Sequence, residues 1–265
     1  MPEAPLPRDI DPAVGRLAAE MPNLRGALTW LQAGLALRQA CGVPTTRIAP
    51  LLLVGPPGVG KTRFVRRLAA ELGLRWGRLS LEGLSDNRTL AGTSSGWSTA
   101  EPAWPVGEIA RLGVANPLLM LDELDKCSSS HNGDPLATLL GWLEPSTSAA
   151  VVDPVLGASV DLSGISWILA ANRIDRLPAP LLGRAHVVHV DLLPLGAFDT
   201  VLAGVLADIA EELGVPDARL LPPLETAEIT LLQRMWKQTR TPRLLRRVVE
   251  RLLGAASMRP SGSPH

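Results

Sequence analysis

The sequence predicts an α/β fold in which a five-stranded parallel sheet lies between helices, followed by a small α-helical domain. Three observations carry that expectation. Five short apolar runs fall between residues 48 and 190, with helical stretches between them. A glycine-rich turn closes the first run and opens straight into an amphipathic helix. Strand signals stop after Leu193-Pro194, and the rest of the chain has helical periodicity.

In chain order, the first dozen residues are Pro-rich and acidic and read as a loose arm. Residues 24–41 put Leu24, Leu28, Leu31, Leu35 and Leu37 near one helical face, until Gly42, Pro44 and two threonines break the pattern. Strands are expected at 48–54, 74–81, 117–121, 165–170 and 187–190. A helix is expected at 62–72, with Phe64, Leu68 and Ala69 facing inward. Helices are also expected at 196–213, 226–238 and 242–256, before a tail that reads as disordered. The expected division is an N-terminal arm with helices at 1–45, an α/β domain at 46–193, a helical lid at 194–258 and a tail at 259–265.

The chain has 265 residues, 46% hydrophobic and 20% charged, enough apolar material for a proper core. Lys+Arg and Asp+Glu are both 26, a balance that argues against a dedicated nucleic-acid or anionic-membrane surface. Cys41 and Cys127 lie far apart without a CxxC pattern, which favours two reduced thiols over a disulfide. The N-terminus has no apolar signal-peptide core, and no apolar run approaches the ~20 residues that span a bilayer. A soluble, cytoplasmic protein is expected. His186 and His189 have no further His or Cys at ligand spacing, so a structural role is expected for both.

The chemistry is concentrated at two places. Gly55-Pro56-Pro57-Gly58-Val59-Gly60-Lys61-Thr62 fits G-x-x-x-x-G-K-[ST], between an apolar strand and a helix. Its glycines let successive backbone N–H groups point at phosphate oxygens, and the positive end of the following helix adds to the attraction. Lys61 is expected on the β- and γ-phosphates of ATP, and the Thr62 hydroxyl on Mg²⁺. The second place is the run Leu118-Leu119-Met120-Leu121-Asp122-Glu123, an apolar strand ending in two carboxylates at the carboxyl edge of a sheet. Asp122 is expected to steady the metal and Glu123 to polarise the attacking water.

Two later pieces complete an ordered set: Trp167–Asn172, a strand ending in Asn, and Pro178–Arg184, a PxPLLxR turn. With GPPGVGKT, the DExDK run Asp122–Lys126 and Gly133-Asp134-Pro135, this order resembles the AAA+ ATPase module, and its wording is similar to that of Lon proteases over roughly residues 48–190. The resemblance implies that Asn172 is the sensor-1 residue and that Arg184 is an arginine finger reaching a neighbouring subunit's ATP. A guanidinium suits that task because it is always charged and forks onto phosphate oxygens. Arg243 matches the sensor-2 position, with Arg246 and Arg247 as neighbours able to take over. A finger acting in trans implies a homo-oligomer, by analogy a hexameric ring.

Residues 90–100 resemble the Lon loop that carries an aromatic residue into the central pore, and Trp97 falls where that residue belongs. A flat aromatic on a Gly/Ser-rich loop grips an extended protein client by packing. The other reading is that Trp97 packs down on its own loop, as Trp104 could. Thr93, Ser94 and Ser95 replace basic residues common in the family's loop, so the client preference need not be shared. Lon cuts peptides with a Ser–Lys pair in a separate domain; here the lysines are Lys61, Lys126 and Lys237, and no peptidase activity is expected. The leading functional expectation is an ATP-hydrolysing, chaperone-like module that remodels or threads a protein client, with a separate peptidase or adaptor as a further partner. Alternatives are a slow nucleotide-dependent switch or assembly factor, and a DNA-acting loader, which the neutral charge disfavours.

Overall fold

The structure is a computed structural model that describes residues 1–94, 100–129 and 133–258. Five strands form the main sheet: β1 (Leu51–Val54), β2 (Trp76–Ser80), β3 (Leu118–Asp122), β4 (Ser166–Ala171) and β5 (His186–His189). The principal helices are α1 (Asp11–Glu20), α2 (Arg25–Ala40), α3 (Lys61–Glu71), α4 (Trp104–Leu112), α5 (Pro135–Leu143), α6 (Phe198–Glu212), α7 (Thr226–Thr239) and α8 (Pro242–Ser257). The chain groups into two compact units. One comprises Met1–Leu17, Gly26–Gly55 and Lys61–Val190; the other comprises Ala18–Arg25, Pro56–Gly60 and the chain from Asp191 onward.

In the first unit the sheet order is β2-β3-β4-β1-β5, and every pairing is parallel. β1, β3 and β4 are buried at every position, as unbroken apolar runs must be when helices cover both faces. The edge strands β2 and β5 carry exposed residues instead. One face of the sheet packs Leu52, Leu119, Leu121 and Leu169 against Leu90, Leu139 and Trp142. Trp142 stacks on Trp167 at 5.8 Å, and Trp104 closes on the same ring at 6.4 Å. Each fully buried leucine here contributes about 1.5–3 kcal/mol, and the larger tryptophan rings add to that.

Several expected bounds shift. The first strand starts at Leu51 rather than 48, because the Ile48 N–H is taken by the Ser166 Oγ at 2.9 Å rather than by a neighbouring strand. The second is trimmed to Trp76–Ser80, and the fifth begins at His186. The N-terminal arm is not loose. Ala4 is buried, and its N–H and carbonyl are both held by the side chain of Asn116, at 2.6 and 3.0 Å. Leu6 N donates to Pro44 O, and Ile10 is buried. Asn116 offers both a donor and an acceptor from a buried position, so it pairs with a passing backbone as a strand would. α4, α5 and a small antiparallel pair, Val151–Val152 with Ser159–Val160, are further elements. α5 has clear punctuation: Asp134 caps it by accepting from Leu136 N and Ala137 N, and Pro135 occupies its first position.

In the second unit, α6, α7 and α8 bury Phe198, Val201, Val205, Ile209, Leu232, Trp236, Leu245, Val249 and Leu253 against one another. Trp236 is the central side chain, with its ring 6.3 Å from Phe198 and its indole N–H donating to Leu195 O at 3.0 Å. α7 starts with a reciprocal cap between Glu225 and Glu228. Among the described residues, no helix is long and apolar enough to cross a membrane.

Candidate functional site

The site grows from the carboxyl ends of three neighbouring strands, the edge where open α/β sheets bind ligands. β1 leads into the turn 55–60, β3 ends in Asp122, and β4 is followed by Asn172. Gly55 continues the ladder, its N–H on Ala171 O at 3.1 Å. A Cβ at Gly55 would stand 2.1 Å from Val190 O, so only glycine lets β5 pass this close. Gly60, with φ +101°, turns the chain into α3 through a conformation that other residues rarely adopt.

Lys61 is the first residue of α3 and is buried to 7% exposure. Its ammonium donates to Gly55 O at 2.5 Å and to Asn172 Oδ1 at 3.0 Å. Burial pulls the ammonium below the usual lysine range, against the fields of Asp122, Asp125 and Glu123, which hold it up. The next residue, Thr62, donates its hydroxyl to Asp122 Oδ2 at 3.2 Å. Asp122 is 6% exposed, and its other oxygen accepts the Glu123 N–H at 2.9 Å.

Glu123 has φ +61°, in the left-handed region, where a side chain costs on the order of 1 kcal/mol. Its carboxylate is held at both oxygens. Lys126 Nζ donates to Oε1 at 2.7 Å, and Ser80 Oγ donates to Oε2 at 2.8 Å. The Lys126 bond is the main reason its carboxyl lies below the usual range, with Ser80 adding to the effect and burial opposing it. Lys126 also bonds Glu82 at 2.5 Å. Asp125, itself buried, accepts the Asn172 N–H at 2.9 Å, so the acidic run fixes the backbone that presents Asn172.

Hydrogen bonds therefore join Lys61 to Asn172 and Thr62 to Asp122, with Glu123 against Asp122. Arg184 makes other contacts: its Nε donates to Glu144 Oε2 at 3.0 Å and its Nη1 to Pro180 O at 3.2 Å. Arg243 is exposed at the start of α8. Within the second unit, Gly58 of the turn lies against it: a Cβ on Gly58 would be 2.7 Å from Thr241 Cγ2 and 3.1 Å from Arg243 Cβ. Arg246 is committed elsewhere, its guanidinium paired with Glu212 and Glu250. Trp97 lies outside the described residues; Trp104 packs on Trp167.

Asp125, part of the DExDK run, belongs to this network, and so do Arg78, Ser80 and Glu82, which the motifs alone do not announce. Arg78 and Ser80 are two residues apart on an edge strand and so share one face of it, beside the end of β3, where Ser80 lies opposite Asp122. That alternation was the available signal. The donor set suits a small hard cation: a hydroxyl and a carboxylate oxygen 3.2 Å apart, both on rigid element ends, match the all-oxygen preference of Mg²⁺.

A parallel sheet in this order, with a Gly-rich turn into a lysine-led helix and a strand-end acidic pair alongside, is the core of a P-loop NTPase. The model of the AAA family, "ATPase family associated with various cellular activities", matches residues 51–191, and the chain belongs to this family of ATPases. It is 36% identical over 172 residues to a Lon protease of Clostridium beijerinckii, covering 64% of this chain and 22% of that protein. It is 41% identical over 147 residues to a Lon protease of Nitrosococcus oceani, covering 56% and 19%. A peroxisomal Lon protease homolog 2 of Arabidopsis thaliana is 37% identical over 147 residues, covering 56% and 17%. The chain thus spans about a fifth of the length of these relatives, within their ATPase region. Among solved structures, a closed-state reconstruction of Hsp104 with ATPγS and FITC-casein shares the fold at a TM-score of 0.72 and 17% identity, covering 91% of this chain and 46% of that one.

Proposed function

We propose that this ATPase binds Mg-ATP on residues 55–62 and couples its hydrolysis to remodelling or threading of a protein client within a homo-oligomeric, hexameric ring. The observation that carries the nucleotide reading is the buried Lys61 ammonium, held by Gly55 O and Asn172 Oδ1 beside the Thr62–Asp122 pair. In this reading Lys61, the backbone N–H groups of Gly58, Val59 and Gly60, and the start of α3 bind the phosphates. Gly55, Pro56 and Pro57 shape the turn. Thr62 and Asp122 hold Mg²⁺, which when bound neutralises charge on the phosphate oxygens. Glu123 accepts a proton from the attacking water, Asn172 orients that water or the γ-phosphate, and Arg243 lets the lid respond to nucleotide. Arg184 serves a neighbouring subunit's site, and its pairing with Glu144 keeps the guanidinium ordered at the surface until it does so.

Support for a protein client comes from the relatives: Lon enzymes are proteases by name, and the Hsp104 reconstruction contains casein. Trp97 is the residue assigned to grip the client. The reading gives these 265 residues no peptide-bond chemistry: Lys61 and Lys126 are both tied into the nucleotide site, and Lys237 lies in the last turn of α7 in the helical unit. One observation favours the alternative of a slow switch: Glu123 is held at both oxygens, by Lys126 and Ser80.

The test is binding of a fluorescent, non-hydrolysable ATP analogue with Mg²⁺ to the wild type and to Lys61→Ala. The wild type is expected to bind and the variant to lose binding while staying folded. Equal binding by both would overturn the site. Mass determination with and without the analogue decides the ring, and stimulation of turnover by an unfolded protein separates the remodelling motor from the switch.

A further inference from the structure

The metal-bearing carboxylate already has a cationic partner within the chain. Arg78, on β2, donates both Nε, at 3.2 Å, and Nη2, at 2.8 Å, to the same oxygen of Asp122, Oδ2. Thr62 Oγ1 donates to that oxygen as well, at 3.2 Å, while Oδ1 takes the Glu123 N–H at 2.9 Å. A carboxylate oxygen offers about two lone-pair positions, so Oδ2 is fully subscribed. It is also the oxygen that faces Thr62, and hence the one a metal or its water shell must address.

We infer that Arg78 is a positioning residue for Asp122 which competes with the metal, releasing Oδ2 when metal-nucleotide binds and thereby setting the Mg²⁺ requirement of the site. This rests on the nucleotide reading for its biological meaning, but the competition itself is a property of Asp122. Exposure identifies the member of the pair that moves. The Arg78 side chain is 43% exposed and has solvent to move into, whereas the Asp122 side chain is 9% exposed and pinned through Oδ1. A guanidinium and a divalent cation on one oxygen repel each other, so the arginine must leave or weaken the metal. Until then it keeps the carboxylate in one rotamer beside Thr62.

The experiment compares the wild type, Arg78→Gln and Arg78→Lys as full chains, using the same analogue titrated with Mg²⁺. Arg78→Gln is expected to reach half-maximal binding at a Mg²⁺ concentration about two- to fivefold lower, the range set by half-exposed ion pairs. Arg78→Lys, with its charge retained and its fork lost, should lie between. A purely structural arginine would leave that midpoint unchanged or raise it, and either outcome in a folded variant overturns the proposal. A second measurement needs no nucleotide: Mn²⁺ binding to the protein alone, read by electron paramagnetic resonance, should tighten in Arg78→Gln. Failure of the wild type to bind the analogue at any Mg²⁺ level would sink the nucleotide reading; equal Mn²⁺ affinities in wild type and variant would sink the role of Arg78.

Discussion

Replacing Gly55 by alanine is the most direct probe of how the turn is attached to the sheet. The added methyl would lie 2.1 Å from Val190 O and 3.1 Å from Val190 C and Cβ. A carbon and a carbonyl oxygen in relaxed contact stand about 3.3–3.6 Å apart, so the overlap exceeds ~1 Å. Neither side can yield cheaply. The obstacle is backbone, and Val190 N is itself bonded to Val54 O at 2.7 Å, one residue before the substitution. Overpacking of this kind costs about 1–3 kcal/mol, and breaking the Val190–Val54 bond to relieve it adds about 1 kcal/mol. With a urea slope of about 2 kcal/mol/M, the midpoint should fall by roughly 1–2 M. Tryptophan fluorescence reports the transition through the Trp142–Trp167 stack. Two further variants act as internal standards. Gly60→Ala meets no atom within 4 Å but sits at φ +101°, and should cost about 1–2 kcal/mol. Gly34→Ala, in open space within α2, should gain about 0.5–1 kcal/mol. If Gly55→Ala costs no more than Gly60→Ala, the close approach of β5 is not what requires glycine there.

Three further outcomes are expected. Glu123→Gln should keep analogue binding yet hydrolyse ATP about 10²–10⁴-fold more slowly, and unchanged turnover in a phosphate-release assay would remove Glu123 as the base. ATPase rate per subunit should rise with protein concentration in the wild type and fall about 10³-fold or more in Arg184→Ala, with nucleotide affinity retained. Wild-type sites that are fully active in a proven monomer would end the trans-finger assignment. Burial, with Asp134 nearby, pushes the Cys127 thiol up, so its thiolate forms only at higher pH. Iodoacetamide at pH 8 should therefore label exposed Cys41 well before Cys127, with the lag shrinking as pH rises, as followed by peptide mass spectrometry. Equal labelling at pH 8 would refute this.

What the sequence made legible is whatever is written in short-range pattern. β1, β3 and β4 are unbroken apolar runs, and each delivers its motif at its carboxyl end, so Lys61, Thr62, Asp122 and Asn172 could be placed before any geometry was known. α7 and α8 kept nearly their expected bounds, because Pro242 and the 3.6-residue apolar spacing are local signals. The pinned N-terminal arm was not legible, since its partner Asn116 lies 112 residues away and one polar side chain in a loop has no periodicity. Arg78 and Ser80 were missed for the same reason: β2 is an edge strand, and its alternation acquires meaning only once β3 is known to lie beside it. The Glu123–Lys126 pair was within reach, being three residues apart, but its geometry depends on the left-handed backbone of Glu123, which no propensity favours.

The bond from Asn172 N to the Asp125 carboxylate ties together two motifs that are 47 residues apart in the chain. They are therefore not interchangeable parts. An acidic run transplanted from a distant homologue would misaim the asparagine unless it brought a carboxylate three places beyond Asp122, even if every residue facing the nucleotide were kept. Drift at one end of that bond constrains the other, so recombination points for chimeric ATPases belong outside the stretch from β3 to Asn172.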